Sequence, residues 1–271
     1  EAKIAAQILS PHVVQILDNG VFQGAPYIAM ELLDGEDAEV LLSRLGPLPI
    51  DLALRIAYQA CIGLGRAHQA GVVHRDIKTA NLFLHRNEAG QRIVKILDFG
   101  IAKSTAGGPL NPSLTRTGTL LGSPIYMSPE QARSGKVDQR GDVWSLGITL
   151  YEMLCGSRPN DELQQLGELI IAICTQPVPR IEQRAPRVPP ELAALVHRAL
   201  TIDPAARFAS AVEMGEALRA LLPNGQAIDE SMLRPASAAE LGQSAAVRPP
   251  SATVGGLSLA GSGVVAQSAA P

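Results

Sequence analysis

The chain has 271 residues, room for one large domain or two ordinary ones, and its 46% hydrophobic content supports a sizeable core. Its 23 basic and 26 acidic residues leave a net charge of −3, which argues against a nucleic-acid or polyanion binder. Cys61, Cys155 and Cys174 are odd in number, far apart and without CxxC spacing, so they read as reduced packing thiols rather than a disulfide or zinc site.

Residues 1–9, EAKIAAQIL, form a helix sequence with Ile4, Ile8 and Leu9 on one side. Pro11 ends it by disfavouring helical geometry at Ser10, while no capping residue precedes Glu1. Two β-like runs follow, VVQIL (13–17) and YIAM (27–30), with Asp18-Asn19-Gly20 supplying turn chemistry between them. Beyond about Leu33 the chain becomes mainly helical. Residues 51–70 carry Leu52, Ile56, Ala60 and Leu64 at helical spacing, and Gly71 is a natural stop. NLFL (81–84) and VKIL (94–97) flank a polar turn and predict a small hairpin. Further helices are expected near 140–155, 162–175, 190–200 and 210–222. A small sheet first and a helical body second predict an α+β protein with unequal lobes.

Composition changes near Pro223. All the aromatic residues lie before it, Phe208 being the last, and more than half of residues 223–271 are Ala, Ser, Gly or Pro. Such a segment buries too little apolar surface to offset its ordering entropy, so a disordered tail or linker is expected. Its run VGGLSLAGSGVVA is too short and Gly-rich for a membrane span. No stretch of 18 strongly apolar residues predicts a transmembrane helix, and the N-terminus lacks the basic flank and apolar core of a signal peptide.

The informative stretch is HRDIKTANLF (74–83), followed by ILDFG (96–100). Asp76, Lys78 and Asn81 stand at offsets of two and five before an apolar strand, and Asp98 ends the next strand. A tight hairpin brings these strands side by side and places two carboxylates, an amide and an ammonium in one cleft. Singly, each has an ordinary explanation as a cap, turn or solvated residue. Together they suit phosphoryl transfer, which needs magnesium on oxygen ligands, a carboxylate to position the attacking hydroxyl and a cation for the phosphoryl group.

HRDIKTAN and DFG resemble the catalytic and magnesium motifs of the eukaryotic-like protein kinases. GSPIYMSPEQA, DVWSLG (142–147) and DPAARF (203–208) extend the resemblance, to bacterial Hanks-type serine/threonine kinases in particular, over residues 1 to about 222. The resemblance implies a small-lobe remnant over 1–33 with the hinge at its end, a helical large lobe over 34–222 and the tail over 223–271. It implies that Asp76 orients the substrate hydroxyl and accepts its proton, that Lys78 stabilises the transferring phosphoryl group, and that Asn81 and Asp98 bind Mg2+. Lys78 two residues after Asp76 is similar to the serine/threonine branch. Ser123 would contact Asp76 and Lys78 and help seat the substrate. Glu130 would pair with Arg207, and Asp142 would brace the catalytic loop. For ATP, Met30 resembles the gatekeeper, Glu31 and Leu33 the hinge, and Phe83 part of the floor of the adenine site; for each of these the competing reading is core packing.

The loop between Asp98 and Glu130 is long enough to be functional, and its centre reads SLTRTGTLLGS. Arg75 stands directly before Asp76, as in kinases switched on by loop phosphorylation. Thr115 and Thr117, then Thr119, are the expected sites, a phosphate there pairing with Arg75. The implied partners are protein substrates with Ser or Thr and a second kinase copy for trans-autophosphorylation. The implied location is the cytoplasm, with a tether to the membrane in a longer protein.

Two parts of the family pattern are absent: the GxGxxG loop over the phosphates and the VAIK-type strand with its Lys. EAKIAAQIL matches the helix that follows them, and Glu1 matches the Glu that pairs with that Lys. A fragment trimmed within the small lobe is the expected explanation, and the chain alone is then expected to have little or no activity. The competing readings are a catalytically dead kinase-like binding module and a small-molecule phosphotransferase.

Overall fold

The computed structural model describes residues 8–99, 123–133, 135–222 and 225–235. Strands β1 (Ile16–Phe22) and β2 (Ala25–Met30) form an antiparallel hairpin. Its two-residue turn is Gln23-Gly24, with φ of 51° and 83°, the positive pair that suits strand twist. The turn expected at Asp18-Asn19-Gly20 therefore lies inside β1 instead. A register shift between Ile16 and Asp18 absorbs that irregular sequence. Asp18 accepts the Tyr27 hydroxyl at 2.7 Å, and Gly20 provides clearance for the same ring, since a Cβ there would come within 3.0 Å of it. The strand expected over 13–17 also divides. Val13 and Val14 are buried and run parallel to a later strand, and β1 starts only at Ile16.

The second sheet is antiparallel, with β3 (Gly35–Asp37), β4 (Leu82–Arg86) and β5 (Arg92–Ile96) in that order. The hairpin read from NLFL and VKIL is β4–β5, because alternation sends Leu82, Leu84, Val94 and Ile96 into the core. The helix expected over residues 1–9 lies, with Glu1, outside the described residues except for Ile8 and Leu9, which are not helical.

Helix α1 (Ala38–Leu45) starts on Asp37, whose carboxylate caps Val40 N–H at 2.8 Å. Helix α2 (Ile50–Gln69) ends at Ala70, and Gly71 follows with φ of 77°. Then come α3 (Pro129–Ala132), α4 (Gln139–Cys155), α5 (Leu166–Thr175), α6 (Ile181–Arg184), α7 (Pro190–Ala199) and α8 (Ala211–Leu221). Every residue of α4 from 141 to 154 is buried, so this helix is the axis of the core. Trp144 and Tyr151 on it, with Phe208, are the largest fully buried side chains, each contributing about 1.5–3 kcal/mol of apolar burial. Small sheets followed by a helical body make an α+β fold. Among the described residues, no helix is long and apolar enough to cross a membrane.

The composition change at Pro223 does not mark the end of packed chain. Residues 225–235 return to the body, with Ile228 at 0% and Leu233 at 4% exposure. They are held mainly through their own backbone carbonyls, which accept from Arg44, Arg55, Gln59 and the Arg92 N–H and which composition does not register.

Candidate active site

The loop from His74 to β4 is organised by one buried carboxylate. Asp142, in the first turn of α4, accepts His74 N–H and Arg75 N–H at 2.8 Å each. His68 Nε2–H from α2 donates to the same carboxylate at 2.7 Å. Arg75 is held at φ of 66°, a conformation costly for a residue with a Cβ. Its carbonyl accepts from Gln131 Nε2 at 3.0 Å, so the strained residue is clamped on both sides. Gln131 is itself fixed by the capping box of α3, its Oε1 accepting Ser128 N–H.

His74 joins this loop to the end of β5. Nε2–H donates to Leu97 O at 2.7 Å, and Nδ1 accepts Asp76 N–H at 3.2 Å, which defines one neutral tautomer. Burial pushes its pKa below the usual histidine value, against a smaller opposing pull from Asp142, Asp76 and Asp98. The ring meets Phe99 edge-on at 4.7 Å. From the other side, Leu97 N–H donates to Asn81 O at 2.9 Å.

These contacts bring Asp76, Lys78 and Asn81 together and tie Leu97, the residue before Asp98, to the same loop. Lys78 Nζ lies 3.2 Å from Asp76 Oδ2, both side chains being partly exposed. Asn81 is nearly buried and donates Nδ2–H to Asp76 O at 2.8 Å, which leaves its Oδ1 for another partner. Asp98 is exposed, follows the doubly bonded Leu97 directly, and has φ of 53°. An amide oxygen and a carboxylate are hard donors that suit Mg2+. Among the described residues, no group of three His, Cys, Asp or Glu could hold a metal ion alone. Two protein oxygens completed by phosphate oxygens and water is the arrangement Mg2+ commonly takes, so the residues fit magnesium bound with a nucleotide.

The adenine-side candidates lie along β2, the segment after it, and the β4–β5 face. Met30 is exposed, and Leu33 and Phe83 are half-buried. Glu31 N–H donates to Gln15 O at 3.0 Å, and its Oε1 accepts Gln15 N–H at 2.8 Å and Lys95 Nζ at 2.6 Å. Lys95 is the cross-strand partner of Phe83. It escaped sequence reading, although a lone Lys between Val94 and Ile96 marks the face opposite the core.

Arg207 is buried and uses all five of its N–H donors. It bonds both oxygens of Glu130 at 2.9 Å, Thr201 O at 2.7 Å, and Arg140 O and Ile202 O at 3.0 Å. Sequence reading also missed His68, His74 and Gln131 as organisers, because each acts through a backbone or buried partner distant in the chain. Ser123 starts a short 3-10 helix, Ser123–Tyr126, and its side chain lies outside the described residues. Thr115, Thr117, Thr119 and Glu1 also lie outside them.

Residues 1–218 match the protein kinase domain family. The chain is 39% identical over 240 residues to the serine/threonine-protein kinase pkn3 of Myxococcus xanthus, covering 88% of this chain and 43% of that protein. It is 39% identical over 223 residues to the serine/threonine-protein kinase PknB of Mycolicibacterium smegmatis, covering 79% and 34%. A relative named tyrosine-protein kinase MasK, from Myxococcus xanthus, is 39% identical over 234 residues, covering 82% and 35%. The chain thus spans between a third and a half of the length of these relatives.

Proposed function

Because this chain belongs to the protein kinase family, in its bacterial Hanks-type branch, we propose that the protein carrying it transfers the γ-phosphate of ATP to serine and threonine hydroxyls of proteins. The observation that carries this reading is the grouping of Asp76, Lys78 and Asn81 on one loop clamped by Asp142 and His74, with Leu97, the residue before Asp98, bonded to that loop through His74 and Asn81.

In this reading Asp76 orients the acceptor hydroxyl and takes its proton, while Lys78 beside it offsets negative charge on the phosphoryl group in flight. Asn81 Oδ1 and the Asp98 carboxylate are the magnesium ligands. Bound Mg2+ supplies neutralisation of the ATP phosphates and fixes their orientation. Met30, Glu31, Leu33 and Phe83 line the adenine side. Glu1 pairs with a phosphate-binding lysine, and Ser123 seats the acceptor. Thr115, Thr117 or Thr119 receive phosphate from a second copy of the kinase, and Arg75 pairs with it to order the loop. The catalytic part works in the cytoplasm, where ATP and its protein substrates are available.

A relative named as a tyrosine kinase makes acceptor type the point to test. Lys78, two residues after Asp76, favours serine and threonine through its resemblance to that branch. Phosphoamino-acid analysis of the full-length gene product after incubation with labelled ATP and myelin basic protein should return phosphoserine and phosphothreonine. Phosphotyrosine alone, or label only on small alcohol acceptors, would reject the assignment.

A further inference from the structure

β5 is the outer strand of its sheet, yet its outward N–H groups are all satisfied, each by a different element. Ile96 N–H donates to His12 O at 3.0 Å, Val94 N–H to Gln59 Oε1 at 2.8 Å, and Arg92 N–H to Ile228 O at 3.2 Å. The last contact belongs to residues 225–235, and so, indirectly, does the second. Gln59 is buried on α2 and uses its Nε2–H to hold Gln226 O at 2.8 Å while its Oε1 holds β5. Arg55, one turn earlier, donates to Ala227 O. The carbonyls of three consecutive residues, Gln226, Ala227 and Ile228, are therefore taken by α2 and β5.

Side chains fix the segment in register. Ile228 is fully buried, and the Arg92 guanidinium grips both oxygens of Glu230 at 2.8 and 3.2 Å. The same guanidinium donates to Leu84 O on β4 at 3.3 Å, and Arg44 on α1 anchors the far end through Leu233 O at 2.9 Å. Edge strands left open are prone to shift or mispair. This one ends two residues before Asp98.

We propose that residues 225–235 are a positioning strap for the strand that delivers Asp98, with Gln59 as the relay between strap and strand. Like an outer-shell partner of a metal ligand, the strap makes no contact with the reaction but sets where the ligand stands. The inference rests on the assignment of Asp98 as a magnesium ligand.

The test compares Ile228→Asp, which releases the strap, with Ile228→Val, which keeps it, in the full-length gene product. Release should speed hydrogen exchange at the Arg92 and Val94 amides while α7 amides stay protected. It should raise the Mg2+ concentration for half-maximal activity about 10-fold, with kcat at saturating Mg2+ within about twofold, and Ile228→Val should restore both readings. Glu230→Arg, at a side chain 52% exposed, opposes Arg92 without touching the core. It should shift the Mg2+ requirement in the same direction and decides the matter if Ile228→Asp does not fold. Faster exchange at Arg92 and Val94 with an unchanged Mg2+ requirement would overturn the proposal. An Asp98→Asn control separates the two readings: retained activity there rejects the magnesium assignment, whereas the exchange result reports on the strap alone.

Discussion

Arg207→Lys is a conservative exchange in charge, yet it should be among the most damaging single changes in the helical body. The guanidinium has no exposed side-chain surface and donates to five acceptors, two on Glu130 and three on the backbone of Thr201, Arg140 and Ile202. Lysine offers three donors from one point, so at least two of the five acceptors lose their partner. Each buried acceptor left unsatisfied costs about 1–3 kcal/mol, a loss of about 2–6 kcal/mol. The guanidinium also lies 4.9 Å from the Trp144 ring centroid, a cation–π contact worth about 0.5–2 kcal/mol. Urea unfolding, followed by the fluorescence of this single buried tryptophan, should show a lower midpoint with an unchanged slope. A change below about 1 kcal/mol would refute the claim that the fork geometry, rather than the charge, is what the fold uses.

Asp142→Asn should cost about 2 kcal/mol or more, because the new amide turns a donor toward one of three donors now facing a carboxylate. The Tm should fall by roughly 4–8 °C, and faster proteolysis within residues 74–81 should accompany it; an unchanged Tm would show that Arg75 needs no clamp. A third prediction concerns pH. Burial lowers the pKa of His74, His12 and His197, so each binds a proton less readily when folded than when unfolded. Stability from these groups is complete above the unfolded value of about 6.5 and is lost as pH falls through the window beneath it. The slope should approach about 1.4 kcal/mol per pH unit for each histidine. His74→Gln should flatten the curve by about one proton, and an identical slope in that variant would contradict the neutral tautomer assigned here.

Legibility in the sequence followed the range of the interaction. Helix α2 and the β4–β5 hairpin could be read because their signals repeat locally: apolar residues at helical spacing in one, alternation in the other. Asp18-Asn19-Gly20 misled because turn chemistry describes what a peptide tolerates. The ring of Tyr27 and the two positive φ values at Gln23-Gly24 decided where the chain reversed. The strap escaped for another reason. Its ties run through main-chain carbonyls to Arg55, Gln59 and Arg92, and composition is blind to carbonyls. Asp76, Lys78, Asn81 and Asp98 could be read only as a set with fixed spacing. The residues that hold their loop, His68, His74 and Gln131, act on partners far off in the chain or look like solvated polar residues.

In the proposed reaction, Asp76 stands where the acceptor hydroxyl must lose its proton. The most direct test of this role is the rate of phosphoryl transfer by the full-length gene product with Asp76→Asn, measured beside ATP affinity. The rate should fall at least about 100-fold, with ATP affinity nearly unchanged because the proposed adenine-side residues Met30, Glu31, Leu33 and Phe83 stand on or beside other elements. Near-normal transfer in that variant would contradict the role.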